Sequence, residues 1–330
     1  MKKIYLILIV LCLCLSACAD KDIDITILHT NDIHGQHHPI DYKTGYREHK
    51  NVGGTARRAT MINDIRKATD HRVLLFDIGD ISGRGEYEKY YGEPEIKIMN
   101  YLKYDAMAAG NAEFKLAKKE KRTPESIDFF RERIKEASFP ILTANVYDNE
   151  TGKRAFQPYV IINEGNIRIA CVGMTTLKCR TYPECENLTF TDPKEELEKI
   201  FKELSGKYDI FILLSHLGDL HDGALAGIFP QIDLIIEGDF HTFRAKPRFI
   251  PKKDPKEGEI GGILVCQTGE LGVMLGKLDL KIDEETKRIK SYDYHLMEVS
   301  DKYAEDPKIE EILKDYEKNK NHKPKIIGRN

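Results

Sequence analysis

The chain has 330 residues, a net charge of −3 from 51 basic and 54 acidic side chains, and 41% hydrophobic residues. This composition is typical of a globular protein, and it excludes a fully disordered chain, a collagen-like repeat and a polytopic membrane protein. The charge balance gives no basic footprint for nucleic-acid backbones, so we predict no binding of nucleic-acid duplexes.

The beginning of the chain has the pattern of a targeting segment. Two lysines precede an apolar run at residues 4–15, which is too short to span a bilayer and fits a signal peptide. The run ends in Leu15-Ser16-Ala17-Cys18, which resembles the lipobox of bacterial lipoproteins. This resemblance implies a signal peptide over residues 1–17, diacylation of Cys18 and a lipidated tether over residues 18–23. We therefore expect an extracytoplasmic protein anchored by lipid to a bacterial membrane; the alternative is an ordinary signal peptide with a chance cysteine.

Four of the seven cysteines follow residue 18. Cys179 and Cys185 flank a short loop that contains a proline, and disulfides are permitted outside the cytoplasm, so a local bridge between them is one interpretation. Two free thiols are the other. Cys171 and Cys266 lie in apolar runs, which indicates core positions.

Apolar runs alternate with charged helical patterns along the chain, which predicts an α/β fold. The short runs are typical of strands and cover Ile23–Leu28, Val73–Phe76, Ala106–Ala109, Pro140–Ala144, Tyr159–Ile162, Ile167–Val172, Ile210–Leu214, Ile232–Ile236, Ile263–Cys266 and Met274–Ile282. The helical patterns cover Thr55–Ala68, Pro94–Leu102, Pro124–Glu136, Pro193–Ser205 and Pro307–Lys318. Three of them begin with Asp-Pro or Thr-Pro, a favourable helix start. The runs on either side of Asn163-Glu164-Gly165-Asn166 predict a hairpin, so the sheet should be mixed.

Five of the apolar runs lead directly into side chains that can bind a metal. The segments after them are residues 29–35, 77–80, 110–111, 215–218 and 237–241. Ligands of open α/β sheets gather beyond the carboxyl ends of the strands, so these side chains should converge. Their carboxylate, imidazole and amide groups suit Zn²⁺, Mn²⁺ or Fe²⁺ better than Ca²⁺. The pattern alone therefore favours a metal-dependent hydrolase over ordinary turn chemistry.

The same segments resemble a known family. Stretches such as ITILHTNDIHG (25–35), VLLFDIGD (73–80), YDAMAAGNAEF (104–114), ILLSHLGD (212–219) and DLIIEGDFH (233–241) look like the calcineurin-like metallophosphoesterases. They are most similar to the catalytic, N-terminal domain of 5′-nucleotidases. The resemblance implies a four-layer αββα sandwich of mixed sheets over residues 24–300. The helical pattern at Pro307–Lys318 and the Lys- and Asn-rich stretch from Glu317 predict a C-terminal helix and frayed tail over residues 301–330. The resemblance also implies two divalent metal ions (Zn, Mn or Fe) and attack on a phosphate ester by a metal-bound hydroxide.

The resemblance assigns the metal ligands residue by residue. Asp32, His34 and His241 match the ligands of the first metal, and Asp80 matches the carboxylate that bridges both ions. The ligands of the second metal are matched by Asn111, His216 and Asp239.

This chain departs from the family pattern in two places. Ala112 stands where the family has its catalytic histidine, and Lys115 stands where an aspartate orients that imidazole. Asp239 replaces a second-metal imidazole by a carboxylate. Loss of a positioned acid or base typically lowers a rate by ~10²–10⁴-fold. His37 and His38 follow the first ligand loop, and either is a candidate substitute, His38 above all; the alternative is that both are ordinary loop residues.

Three hypotheses about function follow. The first is a 5′-nucleotidase-like phosphoric monoester hydrolase that acts on a small phosphorylated substrate such as a nucleotide, in nucleotide catabolism, and is weakened by the loss at Ala112 and Lys115. The second is a degenerate metal-binding lipoprotein that acts as a ligand- or partner-binding module. The third is a two-part enzyme whose substrate domain is a separate polypeptide.

Overall fold

The structure is a computed structural model that describes residues 22–44, 47–116 and 122–319. The predicted signal peptide, the lipobox with Cys18 and residues 320–330 of the predicted tail lie outside the described residues. None of the described helices is both long and apolar enough to cross a bilayer.

Sixteen strands and six α-helices form the described part of the chain. The strands are β1 (Asp22–Thr30), β2 (Pro39–Thr44), β3 (Arg47–Gly53), β4 (Arg72–Asp77), β5 (Ala106–Ala108), β6 (Ile141–Leu142), β7 (Val146–Asp148), β8 (Tyr159–Glu164), β9 (Ile167–Thr175), β10 (Leu188–Phe190), β11 (Ile210–His216), β12 (Leu234–Glu237), β13 (Arg248–Pro251), β14 (Gly262–Cys266), β15 (Met274–Asp283) and β16 (Ile289–Glu298). The helices are α1 (Thr55–Ala68), α2 (Glu93–Leu102), α3 (Ile127–Glu136), α4 (Pro193–Glu203), α5 (Asp219–Ile228) and α6 (Pro307–Lys318).

Two six-stranded mixed sheets organise these elements. The first has the order β16-β15-β1-β4-β5-β6, and the second has the order β13-β14-β12-β11-β9-β8. Strands β1, β4, β5 and β6 run parallel to one another, as do β9, β11, β12 and β14. Strands β8 and β9 form the predicted antiparallel hairpin. Two further pairs, β2 with β3 and β7 with β10, lie outside the main sheets.

The central strands are buried on both faces, which explains their uninterrupted apolar sequences. Because side chains alternate along a strand, Leu74 and Phe76 of β4 face the other sheet while Leu75 faces helices. In β11, Leu214 faces the first sheet and Leu213 packs beneath helices. A single apolar core therefore fills the space between the sheets.

Helices cover the outer faces of the two sheets. Helices α1, α2, α3 and α6 pack on the first sheet, and α4 and α5 pack on the second. The layer order is helix, sheet, sheet, helix, which confirms the predicted αββα sandwich. Helix α6 buries Ile309, Ile312 and Leu313 in the same core cluster as α1 and α2, so it packs as part of this sandwich.

Candidate metal centre

The predicted metal ligands lie beyond the carboxyl ends of strands from both sheets. Asp32 and His34 follow β1, Asp80 follows β4, and Asn111 follows β5. His216 ends β11, and Asp239 and His241 follow β12 in the second sheet. Several ligand loops bend through left-handed backbone conformations that L residues rarely adopt, a feature that concentrates at functional sites. The ligands with positive φ are Asp32, His34, Asp80, Asp239 and His241.

Three of these side chains form what we call the first donor group. Asp32, His34 and His241 each offer one donor atom, and the three atoms lie within 4.8 Å of one another. Nε2 of His241 is 3.4 Å from Oδ1 of Asp32 and 3.4 Å from Nε2 of His34. Imidazole nitrogens and a carboxylate oxygen at this spacing suit a transition-metal ion.

A second donor group shares Asp32 with the first. It consists of Asp32, Asp80 and His216. Nε2 of His216 is 3.5 Å from Oδ1 of Asp80 and 4.0 Å from Oδ1 of Asp32. The other oxygen of Asp80 is 3.8 Å from Nε2 of His34. Asp80 therefore lies between the two groups, where one carboxylate can face two cations.

All three imidazoles present Nε2 to the centre because Nδ1 is occupied elsewhere. Nδ1 of His216 lies 2.5 Å from the carbonyl oxygen of Ile78, and Nδ1 of His241 lies 2.8 Å from Oε2 of Glu270. Nδ1 of His34 is 3.4 Å from the Ser82 carbonyl oxygen. A ring that donates from Nδ1 keeps a lone pair on Nε2, which is the arrangement of metal-bound histidines.

His216 provides the sharpest test of whether a metal fits this centre. Its side chain is fully buried, and its Nε2 has no hydrogen-bond partner within the described residues. A buried polar atom without a partner is costly, so it needs an explanation. A cation held between Nε2 and the facing carboxylates of Asp32 and Asp80 supplies one, and the donor set therefore fits divalent metal binding.

The electrostatics of the centre also favour a cation. Burial alone would lower the pKa of His216, but the carboxylates of Asp80, Asp32 and Asp239 outweigh it and raise that pKa to about 9. Hydrogen bonds to Asp32 and Glu270 raise the pKa of His241 to about 10. The clustered carboxylates thus stabilise positive charge at this site. A divalent ion can supply that charge in place of the protons on His216 and His241.

Asn111 and Asp239 contact members of the two donor groups but belong to neither group. Nδ2 of Asn111 donates to Oδ2 of Asp80 at 3.2 Å. Oδ1 of Asp239 is 4.0 Å from Nε2 of His216, and its backbone N–H donates to Asp32 at 3.1 Å. Both oxygens of Asp239 also lie 2.7 Å from the ammonium of Lys178.

The structure places Ala112 directly beside the centre. Its backbone N–H donates to Oδ1 of Asp80 at 2.6 Å, and its methyl group is buried. Lys115 lies elsewhere, with its ammonium 5.4 Å from the centre of the Tyr182 ring. Ala112 therefore lies beside Asp80, at the position where the resemblance implies an imidazole in the family.

His37 and His38 have partners away from the donor groups. His37 is buried, with ring nitrogens 3.0 Å from the Thr55 hydroxyl and 3.2 Å from Glu95. Nε2 of His38 lies 3.1 Å from Oε1 of Glu317 on α6. These contacts give both histidines a structural role, and nothing in them supports the hypothesis that His38 replaces the lost imidazole.

The local disulfide, one of the two interpretations left open for Cys179 and Cys185, is not formed. Cys179 and Cys185 are free thiols, both buried at short 3₁₀ turns, and the alternative interpretation therefore holds. Each packs into the core cluster of the first sheet as a small apolar side chain, and burial raises the pKa of Cys185 to about 12. Cys171 and Cys266 are buried as predicted.

Three residues of the centre were missed by sequence reasoning. Glu270 contacts His241, and Lys178 contacts Asp239. Glu113 accepts hydrogen bonds from the backbone N–H groups of Asp80, Ile81 and Gly110, which fixes both ligand loops. Glu113 lies within the family-like stretch at residues 104–114, so the sequence pointed to its neighbourhood. Glu270 and Lys178 lie outside the stretches quoted above.

Comparison with known proteins identifies the family. The sequence profile of the calcineurin-like phosphoesterase family matches residues 25–243, a span that contains all seven predicted metal ligands. The chain belongs to the calcineurin-like phosphoesterase family. This confirms the resemblance and the fold class expected from the sequence, and the family uses divalent metal ions. Both donor groups fall within the matched span.

The relatives of this chain include proteins named 5′-nucleotidase. It is 33% identical over 297 residues to a 5′-nucleotidase of Vibrio cholerae, covering 81% of this chain and 50% of that protein. It is 30% identical over 326 residues to protein UshA of Escherichia coli, covering 87% of this chain and 54% of that protein. The chain thus spans about half the length of the curated relatives it matches.

Solved structures show the same similarity. A 5′-nucleotidase precursor from Thermus thermophilus matches with a TM-score of 0.77 and 27% identity, covering 90% of this chain and 59% of that one. The calcineurin-like phosphoesterase YfkN from Bacillus subtilis matches with a TM-score of 0.71 and 25% identity, covering 91% of this chain and 98% of that one.

Proposed function

We propose that this chain is a metal-dependent hydrolase of small phosphate monoesters, with nucleotides as the first substrates to test. The observation that carries the proposal is the buried Nε2 of His216, which faces Asp32 and Asp80 without a hydrogen-bond partner in the described residues. Similarity to 5′-nucleotidases supports the choice of substrate class, since those relatives are named for it.

The first divalent ion would be held by Asp32, His34 and His241. Asp80 would serve as a ligand of both this ion and a second one. The second ion would use His216, Asn111 and Asp239. Divalent cations supply Lewis-acid activation of a phosphate and of an attacking water. The protein's own contribution is to hold the imidazoles in the correct tautomer through Ile78, Ser82 and Glu270, and to fix both ligand loops through Glu113.

Catalysis in this chain should be slower than in a centre with an imidazole beside the bridging carboxylate. The methyl group of Ala112 can neither donate a proton nor stabilise charge at the phosphate. The expected loss is ~10²–10⁴-fold in rate, which weakens such a hydrolase without abolishing it.

We also propose that the chain works outside the cytoplasm, attached by lipid at Cys18. The support is the lipobox-like sequence at residues 15–18. Labelling of the expressed protein with a fatty-acid analogue tests this directly. Label in the wild-type chain that disappears in Cys18→Ala supports the anchor, and equal label in both proteins contradicts it.

The activity is tested by phosphate release from a nucleoside monophosphate and from an aryl phosphate, with Mn²⁺ added to metal-stripped protein. Asp80→Ala should abolish turnover, because Asp80 belongs to the second donor group and also contacts His34 of the first. Asp70→Ala is the matched control, since the Asp70 side chain is fully exposed and outside the centre. Turnover that survives in Asp80→Ala contradicts the proposal.

Ala112 favours a second candidate, a metal-binding module that recognises a ligand or partner without catalysis. Bound metal together with no phosphate release from either substrate class, in wild type and Asp80→Ala alike, would support this candidate over the hydrolase.

A further inference from the structure

Lys178 forms an ion pair with Asp239 at the edge of the candidate metal centre. Its ammonium lies 2.7 Å from both carboxylate oxygens. The side chain of Asp239 is only 5% exposed, whereas that of Lys178 is 59% exposed. A carboxylate contacted at this distance through both oxygens has much of its charge neutralised within the protein.

The fold holds Lys178 in this position. Lys178 belongs to the 3₁₀ turn Leu177–Thr181 directly after β9, and its backbone N–H donates to the Thr176 hydroxyl at 3.4 Å. The ammonium also lies 5.9 Å from the ring centre of Phe240, the residue after Asp239. Lys178, Asp239 and Phe240 line one cleft of about 220 Å³. The contact therefore joins two defined loops across 61 residues of sequence.

The position of Asp239 also sets it apart from the two donor groups. It lies 4.0 Å from His216 but belongs to neither donor group. A second divalent ion that used Asp239 would compete with the ammonium for the same two oxygens. Asp32, in contrast, is contacted by Asn31, His241 and the backbone N–H of residue 239, and no lysine or arginine of the described residues pairs with it.

We propose that Lys178 is a tethered cation that competes with a second divalent ion for Asp239, so that the chain binds one divalent ion tightly and a second one weakly. The tight ion is held by Asp32, His34 and His241 together with Asp80. This inference rests on the proposed metal centre.

Metal titration tests the competition without any assay of turnover. Metal-stripped full-length protein is titrated with Mn²⁺ alone by calorimetry, and bound metal is counted by elemental analysis after dialysis. The wild type should bind one equivalent tightly and a second at least about tenfold more weakly, the factor that about 1.4 kcal/mol of ion pairing gives. Lys178→Met should tighten the second equivalent by about the same factor.

Lys199→Met is the matched control. Lys199 is 51% exposed, and its ammonium lies 3.3 Å from the buried carboxylate of Glu196. The substitution therefore removes a similar ion pair at a place away from the metal centre. Its titration should match the wild type. In Lys178→Met/Asp239→Asn the tightening should disappear, because Lys178 acts through that carboxylate.

Two equivalents of similar affinity in the wild type, or an unchanged second equivalent in Lys178→Met, would overturn the inference while leaving the proposed function intact. The absence of any bound metal would overturn both. If the titrations follow the expected pattern while no protein releases phosphate, the competition stands and the hydrolase proposal fails.

Discussion

Glu270 contacts the His241 imidazole on the ring nitrogen that faces away from the donor group. Its Oε2 lies 2.8 Å from Nδ1 of His241, and Nε2 of the same ring lies 3.4 Å from Asp32. Oε1 of Glu270 accepts a hydrogen bond from the Tyr42 hydroxyl at 3.0 Å. The carboxylate thus fixes both the orientation and the tautomer of a first-group ligand, although it belongs to neither donor group.

Replacement of Glu270 should therefore weaken metal binding. In Glu270→Gln the amide oxygen can still accept from Tyr42, but its NH₂ then faces Nδ1 and favours the tautomer that carries a proton on Nε2. We expect the affinity for Mn²⁺ to fall by ~10–100-fold, the usual cost of losing such a partner. Calorimetric titration measures it. Glu298→Gln is the control, because Glu298 makes a similar pair with Nδ1 of His49. Equal affinities in all three proteins would contradict this role.

The stability of the metal-stripped protein should depend on pH through Asp77. This side chain is fully buried, and its oxygens accept hydrogen bonds from the Thr30 hydroxyl and the Gly79 N–H. Burial raises the pKa of Asp77 from 3.8 to about 7. Between these values the folded chain holds a proton that the unfolded chain releases, so the free energy of unfolding should fall as pH rises, by up to about 1.4 kcal/mol per pH unit.

Asp77→Asn should remove the contribution of this residue to the pH dependence, since an amide cannot ionise. Its oxygen can still accept from the Gly79 N–H, and its NH₂ can donate to the Thr30 hydroxyl oxygen. Urea unfolding of metal-stripped protein between pH 4 and about 7 measures the slope. The variant should be at least as stable as the wild type near the upper end, and Asp70→Asn, at an exposed position, should behave as the wild type. An identical slope in Asp77→Asn would contradict the assignment.

Restoring an imidazole beside Asp80 should increase turnover. Gly83 faces the methyl group of Ala112 without a side chain, and a Cβ built there would meet only Ala112, at 3.2 Å. In Ala112→His/Lys115→Asp we expect kcat for phosphate release to rise by ~10²-fold, the lower end of what a positioned acid or base contributes.

Steady-state kinetics at saturating Mn²⁺ measures this change. Ala112→Gln/Lys115→Asp is the control, because glutamine has similar bulk but cannot transfer a proton at neutral pH. A gain of equal size in the control would mean that packing, rather than the imidazole, limits the rate.

Removal of bound metal should destabilise the fold. The clustered carboxylates of Asp32, Asp80 and Asp239 repel one another unless protons or cations neutralise them. At a free metal concentration of 100 times Kd, a bound ion contributes about 2.7 kcal/mol. Differential scanning calorimetry should therefore show a lower Tm after chelation and recovery with Mn²⁺. His216→Ala should reduce this difference, whereas His38→Ala, which alters a surface pair with Glu317, should leave it unchanged.

The sequence predicted the central strands well because they are buried on both faces. Strands β4 and β11 appear as continuous apolar runs, and each ends at a predicted ligand or just before it. The edge strands β2, β3 and β16 were missed, since they are largely polar and exposed and carry no such run. Helix α5 was missed because Gly223 and Gly227 interrupt its pattern.

The site was predictable to the extent that strand ends position it. Five of the seven proposed ligands fall in the two donor groups, because the carboxyl ends of parallel strands meet at one edge. The contacts of Lys178 and Glu270 could not be predicted. They join separate loops, and no spacing in the sequence encodes which lysine or glutamate reaches a given ligand.

The donors of the first group come from both sheets, and His34 and His241 are separated by 207 residues. In an unfolded chain, ends so far apart rarely meet, so almost none of the binding energy is available before the sandwich assembles. An ion at this position ties the first quarter of the polypeptide to the last third. Metal binding by a refolding chain should therefore begin only once the two sheets have packed against each other.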